Sequence, residues 1–188
     1  GSGSGNMSDG IEAISYATTI GVRLTSNSWG GGPADQGMRD AIADAGAHNI
    51  LFVAAAGNTA GDNDKNPTYP ASYDCSNIVS VAATDPADDL ASFSCFGQTN
   101  VDLGAPGVGI LSCQPGNLYQ LLSGTSMATP HVAGACALIA SLVPDWSAAQ
   151  IKARLLETTD PVPALAGKCV TGGRMNIGRA VVSPTPLL

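Results

Sequence analysis

Residues 124–134 read Gly-Thr-Ser-Met-Ala-Thr-Pro-His-Val-Ala-Gly, and they place a hydroxyl, Ser126, at a Gly-Thr turn that opens an apolar helix. The first turn of a helix carries backbone N–H groups without helical acceptors, and its dipole favours negative charge. A serine held there can attack a carbonyl, and the charge that develops on the carbonyl oxygen then falls among donors. Taken alone, such a serine is most often a simple N-cap. A second group suited to the same chemistry is Asn58, which follows the apolar run Ile50-Leu51-Phe52-Val53-Ala54-Ala55. Its side-chain amide and the Ser126 N–H could both donate to an oxyanion. In isolation, Gly57-Asn58 reads only as a turn.

A serine nucleophile needs a base, and a carboxylate to orient that base. The chain has two histidines. His131 follows Ser126 on the same helix, about 140° round from it, and faces away. His48 precedes the Ile50 strand at its far end from Asn58, ~20 Å off, and reads as a helix C-terminal residue. Neither is placed to serve Ser126.

These groups must be positioned by strands whose ends converge. Ser8-Asp9 caps a helix to about residue 19, which Gly21 stops. Residues 22–25 read as a strand running into Ser26-Asn27-Ser28-Trp29 and three glycines. Residues 34–47 form a second helix. Residues 50–55 and 78–82 are continuous apolar runs, as expected of parallel strands covered on both faces. Residues 101–105 and 118–122 are further strand segments, the latter leading into the Gly124 turn. A long helix runs from about 126 to 142, and Ser147 caps another through Glu157. This order predicts an α/β fold with a parallel sheet, whose ligands bind at the carboxyl ends of the strands.

With 188 residues, 44% of them hydrophobic and 12% charged, the chain suits one loop-rich domain with a sizeable core. A net charge of −7 provides no basic stripe for phosphates, so nucleic acid is excluded as a partner. No run approaches the roughly 18 apolar residues of a membrane span, and no signal peptide is visible. The chain starts Gly1-Ser2-Gly3-Ser4-Gly5 without an initiator Met, so it reads as part of something longer. Residues 184–186, Pro-Thr-Pro, mark a tail or linker at 183–188. Of the five cysteines, Cys136 falls in the apolar helix and reads as a buried thiol. Cys75, Cys95, Cys113 and Cys169 allow three pairings, among which the sequence does not choose. A bridge among them would fit a secreted or extracellular protein.

The run around Ser126 closely resembles the nucleophile motif of the subtilisin-like serine proteases. The resemblance extends, in family order, through Asn27-Ser28-Trp29-Gly30-Gly31, Ala54-Ala55-Ala56-Gly57-Asn58, Tyr69-Pro70-Ala71, Ala91-Ser92-Phe93-Ser94 and Ala105-Pro106-Gly107. It implies a three-layer, parallel-sheet subtilisin-like fold over residues 1–182. That fold is incomplete: the family's Asp-Ser/Thr-Gly turn and His-Gly-Thr-His helix start, with their N-terminal strands, do not occur here. It implies a serine endopeptidase with Ser126 as nucleophile and Asn58 as oxyanion donor. In a subtilisin, loss of such a donor costs about 100- to 1,000-fold in turnover. A polypeptide substrate would add as a strand along Ser28, Trp29 and Gly30. The facing edge would lie just before the first helix, which makes Gly1-Ser2-Gly3 native sequence. Ala55, Ala56 and Gly57 would line the pocket before the scissile bond, with Trp29 as a wall and Ser123 and Thr125 flanking the nucleophile. Ser123 stands where relatives often carry Asn packing near the leaving group, so the family's role does not carry over to it directly. The resemblance also implies a cis bond at Tyr69-Pro70, a possible propeptide partner, and no cofactor for the chemistry. A weak cation site of the kind some relatives have could form at Asp102 with carbonyls near Ala71 and Tyr73, the alternative being a strand-end surface Asp; Asp62, Asn63 and Asp64 could also hold Ca²⁺, but read more simply as a solvated turn.

The rival readings are a truncated peptide-binding or regulatory module that holds peptides without cutting, and an α/β-hydrolase. The latter lacks its Gly-x-Ser-x-Gly elbow. In either subtilase reading the isolated chain is expected to be nearly inactive, because a nucleophile without its base retains only residual catalysis.

Overall fold

The computed structural model describes residues 5–182; residues 1–4, with their expected substrate edge, and the 183–188 tail lie outside them. The chain opens with α1 (Met7–Thr19), β1 (Leu24–Asn27), α2 (Gln36–Ala47), β2 (Leu51–Ala55) and β3 (Ile78–Thr84). It continues through β4 (Leu103–Pro106), β5 (Ile110–Gln114), β6 (Leu118–Leu122), α3 (Thr125–Leu142) and α4 (Ala148–Glu157). The short β7 (Asp160–Pro161), β8 (Gly173–Arg174) and α5 (Ile177–Val181) close it. Strands β1 to β4 are mutually parallel and lie in the order β1-β2-β3-β4-β8-β7, with only the β7–β8 pair antiparallel.

The three layers follow from strand alternation. In β2, Leu51 and Val53 pack beneath α3 and α4 with Val79, Val81, Val132, Ile139 and Ile151. Phe52 and Ala54, between them, point to the opposite layer, against Ile14 of α1 and Met38 and Ile42 of α2. Burying each such aliphatic side chain contributes roughly 1.5–3 kcal/mol. The continuous apolar runs are therefore what a strand covered on both faces requires.

Local signals set most of the ends. Asp35 caps α2 by accepting from Met38 N at 2.8 Å. Ser147 and Gln150 form a reciprocal capping box at α4. Helix α1 ends before Gly21, which adopts φ 71°. The first strand begins at Leu24, later than expected, although the Arg23 carbonyl already accepts from Leu51 N at 3.1 Å; the Arg23 guanidinium donates to Pro144 O at 2.7 Å and Trp146 O at 2.5 Å. Residues 110–114, to which the sequence assigned no element, form β5 and pair antiparallel with β6 as a hairpin outside the main sheet.

Two features of the surface matter later. β1 is a terminal strand of the sheet. Helix α3 has no charged residue along its length, yet Pro130, Gly134, Ala137, Leu138, Ser141 and Leu142 are exposed, with Leu138 at 46% and Leu142 at 51%.

The bridge that the sequence left open is not formed: all five cysteines are thiols. Cys75 packs in the α1–α2 layer and Cys113 is exposed on the hairpin, far from a common site. Cys95 and Cys169 share one small cluster, but Cys95 Sγ lies 3.2 Å from Thr59 Oγ1 and Cys169 Sγ 3.8 Å from Thr171 Oγ1.

Candidate active site

Ser126 lies in the first turn of α3, where the loop after β6 folds back over the carboxyl ends of β1 and β2. Its Oγ donates to Ser28 O at 3.3 Å, and Ser28 Oγ donates to Ser126 O at 2.8 Å. The second bond has a cause in the sequence. Helical bonding would have residue 130 donate to Ser126 O, but Pro130 has no N–H. The carbonyl left over is taken by the Ser28 hydroxyl. The Ser28 edge and the nucleophile turn are thereby tied at two points.

Asn58 is held as an oxyanion donor would have to be. Its Oδ1 accepts from Thr125 N at 2.8 Å and Thr125 Oγ1 at 3.0 Å. With the oxygen pinned, the amide group must point the other way. A Cβ built on Gly124 would stand 3.6 Å from both Asn58 Nδ2 and Ser126 N, so these two donors border one space that only a glycine leaves open. Gly57 adopts φ 113°, which a side chain would oppose. Its N–H donates to Thr125 Oγ1 at 3.2 Å and its carbonyl accepts from Cys95 N at 2.9 Å.

A cavity of about 290 Å³ opens beside Ser126 and Asn58. It brings together the expected Ser28, Trp29, Gly30, Ala55, Gly57 and Thr125 with Gly31 of the same quoted motif, and adds Thr59 and Thr68, which the sequence did not single out. A second, larger cavity of about 690 Å³ adjoins it, sharing Trp29, Gly30 and Gly31 and walled by Met7, Gly10, Tyr69, Pro70 and Tyr73. Trp29, edge-on to Phe52, stands between them. The Tyr69–Pro70 bond is cis, and Tyr69 O accepts from Gly31 N at 2.9 Å.

Two expected lining residues are elsewhere. Ala56 is fully buried among Ala82, Cys95 and Leu165, because its side chain points away from the cleft that Ala55 faces. Ser123 Oγ accepts from Gly109 N at 3.0 Å and braces the base of the hairpin.

His131 Nδ1 donates to Met127 O at 2.8 Å on its own helix. His48 ends α2, its Nδ1 2.9 Å from Asp44 O. Neither ring is hydrogen-bonded to Ser126. The carboxylates considered for calcium have donors within the protein. Asp102 Oδ2 accepts from Ser80 N at 2.7 Å and Oδ1 lies 3.3 Å from Lys152 Nζ. Lys152 also donates to Ile78 O. Asp62 pairs with Lys65 at 2.8 Å. Asp64 accepts from the Thr99 hydroxyl and from the Thr99 and Asn100 N–H groups. Partial burial opposes its charge, but these bonds outweigh it and hold the carboxyl below its ordinary value. Among the described residues, no group of three or more His, Cys, Asp or Glu is placed to share a metal.

Residues 1–176 match the sequence model of the subtilase family. The chain is 42% identical to thermitase of Thermoactinomyces vulgaris over 180 residues, which is 96% of the chain and 61% of thermitase. It is 42% identical to subtilisin DY of Bacillus licheniformis over 158 residues, 84% of the chain and 57% of that protein. The chain thus spans about 60% of the length of these relatives. Among solved structures, it superposes on the prenylagaramide maturation protease PagA with TM-score 0.83 at 30% identity, covering 96% of the chain and 68% of PagA.

Proposed function

Because the chain belongs to the subtilase family, we propose that it carries the nucleophile, oxyanion donor and substrate cleft of a serine endopeptidase whose base lies outside residues 1–188. The observation that carries this reading is the pinning of Asn58 Oδ1 by Thr125, which leaves Nδ2 and the Ser126 N–H bordering one open space.

In this reading a peptide adds as a strand along Ser28–Gly30. The side chain before the scissile bond enters the 290 Å³ cavity, and a more distant one enters the 690 Å³ cavity beyond Trp29. Ser126 Oγ leaves Ser28 O and attacks the peptide carbonyl carbon as its proton passes to the base. The oxyanion takes donors from Asn58 Nδ2 and Ser126 N, preorganised before charge develops. The C–N bond then breaks, the amine leaves with a proton, and water hydrolyses the acyl-enzyme on Ser126.

Two features support an upstream segment that completes the fold and delivers the base. Among the described residues, β1 leaves one edge of a parallel sheet unpaired. Helix α3 carries no Asp, Glu, Lys or Arg on any face, its exposed His131 being its one ionisable side chain besides the buried Cys136 thiol, a composition closer to that of an enclosed helix than of a surface one. A second reading, a peptide-binding fragment without activity, draws on the resting bond from Ser126 Oγ to a backbone carbonyl rather than to a base.

A fluorophosphonate probe separates the two. The 188-residue chain is expected to label barely, and the chain extended upstream to label rapidly, with loss on Ser126→Ala. Rapid labelling of the 188-residue chain would place the base within it. No labelling of the extended protein would favour the binding module.

A further inference from the structure

We infer that Asn63 is a positioning residue for the oxyanion donor, acting through the Ala56–Gly57 peptide. The inference rests on the proposed role of Asn58. Asn63 lies in the 62–66 loop, which from sequence offered only calcium ligands or a solvated turn. In the structure its side chain is wholly buried. Nδ2 donates to Ala56 O at 2.9 Å, and Oδ1 accepts from Thr68 Oγ1 at 3.0 Å. The backbone of Asn63 is fixed as well, its N–H donating to Phe96 O at 2.7 Å.

These bonds bear on one peptide plane. The Ala56 carbonyl is held by Asn63, and the Gly57 N–H on the other side of the same plane is held by Thr125 Oγ1 at 3.2 Å. Thr125 is also the residue that pins Asn58 Oδ1. The Thr68 side chain, oriented by its bond to Asn63, packs so closely on Gly57 that a Cβ there would lie 3.1 Å from Thr68 Cγ2. Gly57 has the backbone freedom to let this peptide rotate. Rotation would displace Asn58 and reshape the cavity wall together. Asn63 is the group that opposes it from behind the strand. The Asp64 carboxylate next to it, bonded to Thr99 and Asn100, anchors the loop that carries Asn63.

The test uses the complete enzyme, the chain extended to include its base, with kcat referred to sites counted by fluorophosphonate titration. Asn63→Asp keeps the shape and the acceptor for Thr68 but sets an oxygen against Ala56 O. It is expected to lower kcat about 10- to 100-fold, with a much smaller change in KM, as a slight misplacement of a catalytic group does. In an Asn58→Ala background the same substitution is expected to cost less than about 2-fold, because the group it positions is gone. Thr68→Val is expected to repeat the pattern with a smaller factor, and carries the test if Asn63→Asp does not fold. Equal losses in the two backgrounds, or no loss in either, would overturn the inference. If Asn58→Ala itself leaves kcat unchanged, the proposed site is wrong and the inference falls with it, a result distinguishable from the first.

Discussion

The reciprocal bonds between Ser28 and Ser126 allow a quantitative test of why Pro130 is tolerated inside α3. Pro130 removes the helical donor to Ser126 O, and Ser28 Oγ replaces it at 2.8 Å. A neutral hydrogen bond contributes about 0.5–1.5 kcal/mol net, and Ser28 is exposed, so water recovers part of the loss. Ser28→Ala is therefore expected to destabilise the protein by about 0.5–1 kcal/mol. With an m value of roughly 1–3 kcal/mol/M, that is a shift of about 0.2–1 M in the urea midpoint. In a Pro130→Ala background the backbone at this position regains an N–H that can reach Ser126 O, and the same substitution should then cost under about 0.3 kcal/mol. Equilibrium urea unfolding of the four proteins measures the difference. Equal midpoint shifts in the two backgrounds would refute the substitution of one donor for the other.

Other consequences follow from groups outside the cleft. Lys152→Met leaves the half-buried Asp102 charge without its partner and is expected to cost about 2–3 kcal/mol, below the 3–5 of a fully buried pair; the double variant with Asp102→Asn should recover most of it in thermal melts. A single variant as stable as the double would refute the pairing. Asp160 is held below its ordinary value chiefly by the hydrogen bonds from Asn176 and Arg179. A carboxyl depressed on folding contributes stability that is complete above the unfolded value of about 4 and is lost as pH falls through the lower, folded value. Asp160→Asn should flatten the acid limb of stability against pH. Among the thiols, Cys113 should react at once with Ellman's reagent, while Cys136, pushed up to about 12 by burial, stays silent until unfolding.

What the sequence disclosed was local. The apolar runs at 50–55 and 78–82 became β2 and β3, because burial on both faces leaves no alternative composition. Ser147 announced α4 as its cap, and Gln150, three residues on, completes the box that the structure shows. The Gly-Thr-Ser turn and Gly57-Asn58 stood out by type, and the fold brings them together. Hidden features were those made by distant partners. Asn63 looks like any loop asparagine until Ala56 and Thr68 surround it. Asp102 reads as a metal ligand until α4 brings Lys152 to it. Ala56 was misplaced because the strand alternation that turns it inward continues one residue beyond β2. β5 escaped notice because Ile110-Leu111-Ser112-Cys113-Gln114 is neither a continuous apolar run nor an alternating one, and only its pairing with β6 makes it a strand.

The uncharged helix α3 has a colloidal consequence. Its exposed Leu138 and Leu142 stripe offers nothing that repels a like surface, so in dilute solution the chain is kept apart by the −7 charge carried elsewhere. That protection is screened by salt and vanishes near the isoelectric point, about pH 4.4, below which the eight Lys and Arg restore it with the opposite sign. Self-association of the isolated chain should therefore rise with ionic strength and peak near the isoelectric point. The same stripe that marks a core helix in water is, at high salt, a surface that seeks its own copy.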